Sequence, residues 1–229
     1  RQDMTKLILL LFSMTLFSCG QKGAGETAAP ITEVKKASTT TAPSFNADSA
    51  YAYVEKQVSF GYRVPNTPAH KACGDYLVSE LKRFGAQVYE QEATLKAYDG
   101  TPLESRNIIG SFNPDKDKRI LLFAHWDTRP YSDHDPDPAN HKKPLDGADD
   151  GASGVGALLE IARQMGMKAP EVGVDIIFFD AEDYGTPEFA KDRYNDTSDT
   201  WCLGSRFWGK NPHKPGYKAE FGILLDMVG

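Results

Sequence analysis

His125, Asp127, Asp149, Asp150, Glu182, Asp183 and Asp226 present one imidazole and six carboxylates close to the ends of apolar runs. Imidazole nitrogen and carboxylate oxygen are the donors that four-coordinate zinc accepts. Their placement follows a rule: the apolar run 120–124 delivers His125 and Asp127, the run 174–179 ends in Asp180-Ala181-Glu182-Asp183, and the run 221–225 ends in Asp226. Asp149 and Asp150 stand side by side just ahead of a helical pattern. Open α/β folds build their sites at the carboxyl ends of strands. Any one of these acids reads most simply as a solvated loop carboxylate or a helix cap. Recurrence after three apolar runs makes a metal site the better reading.

The elements that must carry these residues follow from periodicity. Residues 45–60 read as a helix with Asn46 or Asp48 as its cap. Thr67-Pro68 opens a second, with Gly85 just past its end. Residues 87–98 alternate like a strand, Asp99-Gly100 signals a hairpin, and 104–112 is the partner. With 119–124 this gives three successive strands, partly antiparallel. Val155, Leu158, Leu159, Ala162 and Met165 keep helical spacing after Ser153, 172–179 is strand again, 201–208 begins a helix, and 223–225 belongs to a further central strand. Strand, helix, strand from 119 onward implies a parallel core whose right-handed crossovers bring carboxyl ends to one edge. The expected fold is α/β, a mixed, mostly parallel central sheet flanked by helices. A parallel sheet needs cover on both faces, so the protein is expected to continue past Gly229.

Three regions are expected. Met4-Thr5-Lys6 and the apolar stretch after it end in Leu16-Phe17-Ser18-Cys19, which resembles a bacterial lipoprotein signal. That resemblance implies residues 1–19 as a signal segment, lipidation at Cys19, export, and anchoring to a bacterial membrane facing the periplasm. Residues 20–43 hold few large apolar side chains and cannot offset their ordering entropy by burial, so they form a flexible tether. Residues 44–229 form one domain. The net charge of -6 argues against a nucleic-acid partner, which needs a basic stripe. Nothing in the sequence specifies an oligomeric state. Cys73 shares an apolar helix face with Leu77, Leu81 and Phe84 and reads as a buried thiol, although pairing with Cys202 is open.

The segments His125-Trp126-Asp127, Gly147-Ala148-Asp149-Asp150-Gly151-Ala152-Ser153-Gly154, Glu182-Asp183 and Leu225-Asp226-Met227 together resemble the zinc-dependent aminopeptidase family. Within it, AHWDTRP, WCLGS and LLDMVG resemble the bacterial glutaminyl cyclases, or glutaminyl-peptide cyclotransferases. The resemblance covers most of 45–229. It implies conversion of N-terminal glutamine of peptides and proteins to pyroglutamate, with release of ammonia. It makes Asp150 a zinc ligand followed by a cis peptide bond, and Asp183 a second ligand where animal enzymes more often have Glu. The third ligand of that family is a late histidine, which no position here matches. Glu182 becomes the general acid/base, and Asp226 a partner of Glu182 or of the substrate amine. One zinc is then expected.

The alternative the same residues allow is an aminopeptidase with two zincs, in which Asp150 bridges and His125 and Asp226 become ligands. His125, Asp127 and Asp149 are the candidates for a second metal or for supporting the first. A third reading, an anchored protein with a dead site, gains only from the absent late histidine. Trp126 and Trp201 are candidates for the wall of a substrate pocket, and Trp208 for the core. Asp133, Asp135 and Asp137 alternate in a loop with His134 and His141 that lacks the glycine and terminal glutamate of a calcium loop, and reads as solvated. His70 and His213 read as exposed.

Overall fold

Asn46 starts the first helix, α1 (Ala47–Ser59), by accepting a hydrogen bond from the Ser49 amide at 2.9 Å. Thr67 does the same for α2 (Pro68–Arg83), taking the His70 amide, with Pro68 at the first helical position. The computed structural model describes residues 42–194 and 198–229, so the leader ending at Cys19 and nearly all of the tether lie outside the described residues.

A five-stranded mixed sheet carries the rest, in the order β1-β2-β4-β3-β5. β1 (Gln87–Lys96) and β2 (Pro102–Phe112) form an antiparallel hairpin, and β2 runs antiparallel to β4 (Gly173–Phe179). β3 (Arg119–His125) runs parallel to β4 and to β5 (Gly222–Leu224). The register decides where chemistry can occur. His125 lies opposite Phe179 and Phe123 opposite Leu224, so the segments after all three strands leave the sheet at one edge.

β4 is buried along its whole length, as a central strand must be. Its alternate residues serve two cores. Val174, Ile176 and Phe178 join Leu77, Leu81, Leu158 and Leu159 beneath α2 and α3 (Ala152–Met167), whereas Ile177 and Phe179 face Trp208 of α4 (Leu203–Lys210). Full burial of each such side chain is worth roughly 1.5–3 kcal/mol. Two glycines of α3 permit close packing. A Cβ at Gly156 would lie 2.8 Å from Ala50 O on α1, and one at Gly154 would lie 2.3 Å from Leu225 O, directly ahead of Asp226.

Cys73 lies in the core and Cys202 is half-buried, and both are free thiols. Burial pushes the Cys73 thiol up to about 12. His213 is a correction to the sequence reading. It is half-buried, its Nδ1 accepts from Trp208 Nε1 at 3.1 Å, and its ring packs against Tyr89 and Tyr217. Those aromatic partners come from β1, α4 and a later loop, so the polar segment around His213 gave no local sign of them.

Candidate active site

The shared sheet edge brings His125, Asp150 and Asp226 together. His125, 2% exposed at the end of β3, places Nε2 2.8 Å from Asp150 Oδ1 and 3.7 Å from Asp226 Oδ1. One ligand atom from each of the three lies within 4.8 Å of the others, a group able to hold a metal ion. Asp150 is delivered by a loop that the buried Arg63 guanidinium fastens through the carbonyls of Asp146 and Gly147. Gly151 then turns the chain into α3 at φ +97°, where a Cβ would lie 2.7 Å from Asp127 O. No peptide bond among the described residues is cis, so the bond after Asp150 is trans, unlike the expectation from the resemblance. Asp149 points elsewhere. It is exposed and its Oδ1 accepts from the Gly229 amide, so the structure does not bring it into the metal-holding group.

Glu182 and Asp183 sit on the turn after β4, and the backbone of that turn is fully paired. The Asp180 amide donates to Asn107 Oδ1, that of Ala181 to Asp180 Oδ1, and those of Glu182 and Asp183 to the two oxygens of Asp127 at 3.0 and 3.2 Å. On the carbonyl side, Asp180, Ala181 and Glu182 accept from Gly204, Leu203 and Cys202 at the start of α4, and Asp183 accepts from Arg129. Ala181 is held at φ +52°, a left-handed conformation that non-glycine residues rarely adopt. A surrounding network this complete is what maintains such a conformation. Asp127, fully buried, thus supports the turn, and its Oδ1 is 3.4 Å from His125 Nδ1, a charge contact too long for a good hydrogen bond.

The electrostatics follow from burial and crowding of like charge. Burial pushes the Glu182 carboxyl up to about 7, against the pull of His125 and with added repulsion from Asp127, Asp226 and Asp150. Asp183 also rises to about 7, through burial and then Asp127. Burial works against a charged His125, but the nearby Asp127 carboxylate, the hydrogen bond to Asp150 and the charge of Glu182 carry it well above its usual value. Burial likewise opposes charge on Asp127, yet His125 and the two backbone amides hold it below the usual range. Asp183 Oδ2 is buried with no hydrogen-bond partner. An acceptor left unmatched in the interior is costly, and a cation beside it would relieve that cost. The histidine and two carboxylates of His125, Asp150 and Asp226 make a zinc-type donor set; Asp183 is not among the residues whose ligand atoms converge there.

The tryptophans divide. Trp201 is half-buried, with the Arg129 guanidinium 4.7 Å from its ring, and the ring is so close to Gly185 that a Cβ there would clash at 2.1 Å. Trp126 has no exposed surface and stacks on His70 with ring centroids 4.2 Å apart, so it is a core aromatic and not the pocket wall expected from its position. His70 itself is buried rather than exposed, with Nε2 2.9 Å from both oxygens of Asp180. Asp133 is buried too, gripped by Arg129 through two hydrogen bonds of 2.7 and 2.6 Å, while its loop neighbour His134 stays exposed. A cleft of about 590 Å³ opens beside His70, lined also by Asn66, Lys71, Glu104 and Arg106; none of the candidate catalytic residues lines it.

Sequence reasoning missed Arg63, His70, Asn107, Arg129 and Asp180, which hold the site from behind. Only Asp180 carried a local signal, as the acid that directly follows an apolar run.

Residues 107–229 match the model of Peptidase family M28. A crystal structure of a Zn-dependent exopeptidase from Parabacteroides distasonis is 76% identical with a TM-score of 0.79, covering 82% of this chain and 63% of that one. A glutaminyl cyclase of Bacteroides thetaiotaomicron, solved bound to N-acetylhistamine, is 62% identical with a TM-score of 0.80 over the same shares. Aminopeptidase YwaD of Bacillus subtilis is 30% identical over 170 residues, 72% of this chain and 31% of the relative. The chain therefore spans less than two thirds of each of these proteins.

Proposed function

The chain belongs to peptidase family M28, and from that premise we propose that it is part of a zinc-dependent glutaminyl-peptide cyclotransferase, which closes N-terminal glutamine of peptides and proteins to pyroglutamate and releases ammonia. The observation that carries the reading is the 62% identity with a solved glutaminyl cyclase across the segment that holds Asp150, Glu182, Asp183 and Asp226.

Asp150 and Asp183 would hold one zinc, and Asp183 Oδ2 is the oxygen in want of a partner. When bound, zinc supplies Lewis-acid polarisation of the glutamine γ-carbonyl. The remaining work belongs to side chains. Glu182 takes a proton from the α-amine as its nitrogen bonds to the side-chain carboxamide carbon, Cδ, and returns it to the amide nitrogen, which departs as ammonia when its bond to Cδ breaks. A carboxyl held at about 7 is suited to both transfers near neutral pH. Asp226, beside His125, would accept a hydrogen bond from the amine and orient it toward Glu182. Trp201 is the proposed wall against the glutamine side chain. Because nucleophile and electrophile belong to one residue, holding that side chain folded supplies much of the acceleration.

One observation favours a second reading. The mutual closeness of His125, Asp150 and Asp226 suits a second zinc, as in a two-zinc aminopeptidase, where Glu182 would take its proton from water. Mass spectrometry of a Gln-Xaa peptide incubated with the zinc-loaded full-length protein decides between them. Loss of one ammonia from an intact peptide is expected; release of free glutamine would replace the cyclase with the aminopeptidase.

Export and membrane anchoring complete the proposal and rest on the Leu16-Phe17-Ser18-Cys19 pattern. Cys19→Ala is expected to move the protein from the membrane fraction to the soluble or unprocessed fraction of expressing bacteria. An unchanged membrane fraction would remove Cys19 as the anchor.

A further inference from the structure

His70 has no place in the chemistry above, yet its imidazole meets the turn that bears Glu182 and Asp183. Its Nε2 lies 2.9 Å from each oxygen of Asp180, which is fully buried. Asp180 has two further jobs. Its Oδ1 accepts from the Ala181 amide at 2.7 Å, and its Oδ2 accepts from the Arg106 amide on β2 at 2.6 Å. Asp127 takes the next two amides, so three consecutive N–H groups, 181 to 183, are held by two buried carboxylates.

That arrangement has a weak point. Two carboxylates are buried near one another, and Asp180 feels Asp127 as a repelling charge. A buried carboxylate needs a matched partner to remain where it is. Asp127 has His125; among the described residues, His70 is the side chain that pairs with Asp180. Ala181 meanwhile sits at φ +52° and would relax if the oxygen holding its amide moved. The ring of His70 is in turn fixed by stacking on Trp126, whose Nε1 donates to Arg106 O.

We infer that His70 is a positioning residue: through Asp180 it fixes the Ala181 turn and so the direction in which Glu182 and Asp183 enter the site. The bland account of the same histidine is a core residue that fills space against Trp126. The two accounts rank substitutions differently. Phenylalanine keeps the bulk and the stack but donates nothing to Asp180; glutamine loses the stack but presents an amide N–H with comparable reach.

The inference rests on Glu182 as the proton carrier, which both the cyclase and the aminopeptidase readings require, so the variants are assayed for pyroglutamate formation and for release of the N-terminal residue. In the zinc-loaded full-length protein, His70→Phe is expected to lower kcat about 10- to 100-fold, since sub-ångström to 1 Å misplacement costs up to about 10²-fold. KM should shift less than about threefold when each variant is assayed at saturating zinc, so that any loosening at Asp183 does not leave the site without metal. His70→Gln is expected to retain kcat within about threefold. If the Phe variant does not fold, His70→Asn takes its place; its shorter amide does not span to Asp180, and it is expected to lose kcat where Gln keeps it. Parental kcat in the Phe or Asn variant would overturn the inference, as would equal losses in the Gln and Phe variants. A parent protein that releases free glutamine would sink the cyclase reading alone, and the ranking of the His70 variants would then be read in that reaction.

Discussion

Glu182→Gln is expected to lower kcat by about 10²- to 10⁴-fold, the range of a general acid/base, with zinc content unchanged. Gln has the shape of Glu but neither accepts a proton from the amine nor returns one to the departing nitrogen. The turn beneath it is held by backbone hydrogen bonds that do not involve the Glu182 side chain, so the substitution leaves the local structure in place. Replacing an acid that burial and three neighbouring carboxylates disfavour as an anion should also spare the protein a repulsive charge above pH 7. Turnover and metal analysis on the same preparation provide the check. Undiminished turnover would mean that the proton travels through another group.

The second large effect concerns the protein stripped of metal. Glu182 and Asp183 have folded values of about 7, above their ordinary 4.5 and 3.8, and His125 is raised as well. In each case the native state keeps protons that the unfolded chain releases. Stability from these groups is full at acid pH and is lost as pH rises toward and through about 7. Asp127 acts in the opposite sense, because its folded value is lowered and its contribution is lost as pH falls. The melting temperature of the chelator-treated protein should therefore be highest near pH 5 and fall by several degrees by pH 8. Adding zinc at pH 8 should restore it, because the cation offsets carboxylate charge that protons no longer neutralise there. A flat or rising melting temperature between pH 5 and pH 8 would show that the crowding of acids is not felt in the folded protein.

Much of this site could be read from the chain because its parts obey local rules. Apolar runs ending in acid marked β3, β4 and β5, and the capping pattern Thr67-Pro68 marked α2. His125, Asp150 and Asp226, far apart in sequence, are brought together at one sheet edge by parallel register. What could not be read is the layer behind them. His70 looks like an exposed residue in the first turn of a helix, because its partner Asp180 is 110 residues away. Asp133 looks like one acid among several until Arg129 is seen to grip it. Trp126 shares a motif with His125 and Asp127, but strand alternation sends its side chain to the opposite face, toward α2 and the core. Exposure of a polar residue is a property of tertiary packing, and local pattern does not encode it.

The turn after β4 also says something about how such a site can change over generations. Its position is fixed by main-chain groups and by the side chains of Asp127, Asp180, Asn107 and Arg129. The side chains at 182 and 183 are absent from that list. Placement and identity are therefore inherited separately. Swapping the reactive groups leaves their mounting intact, so an aspartate can occupy position 183 without a redesign of the loop, and one scaffold can pass through variants of differing chemistry while each remains folded.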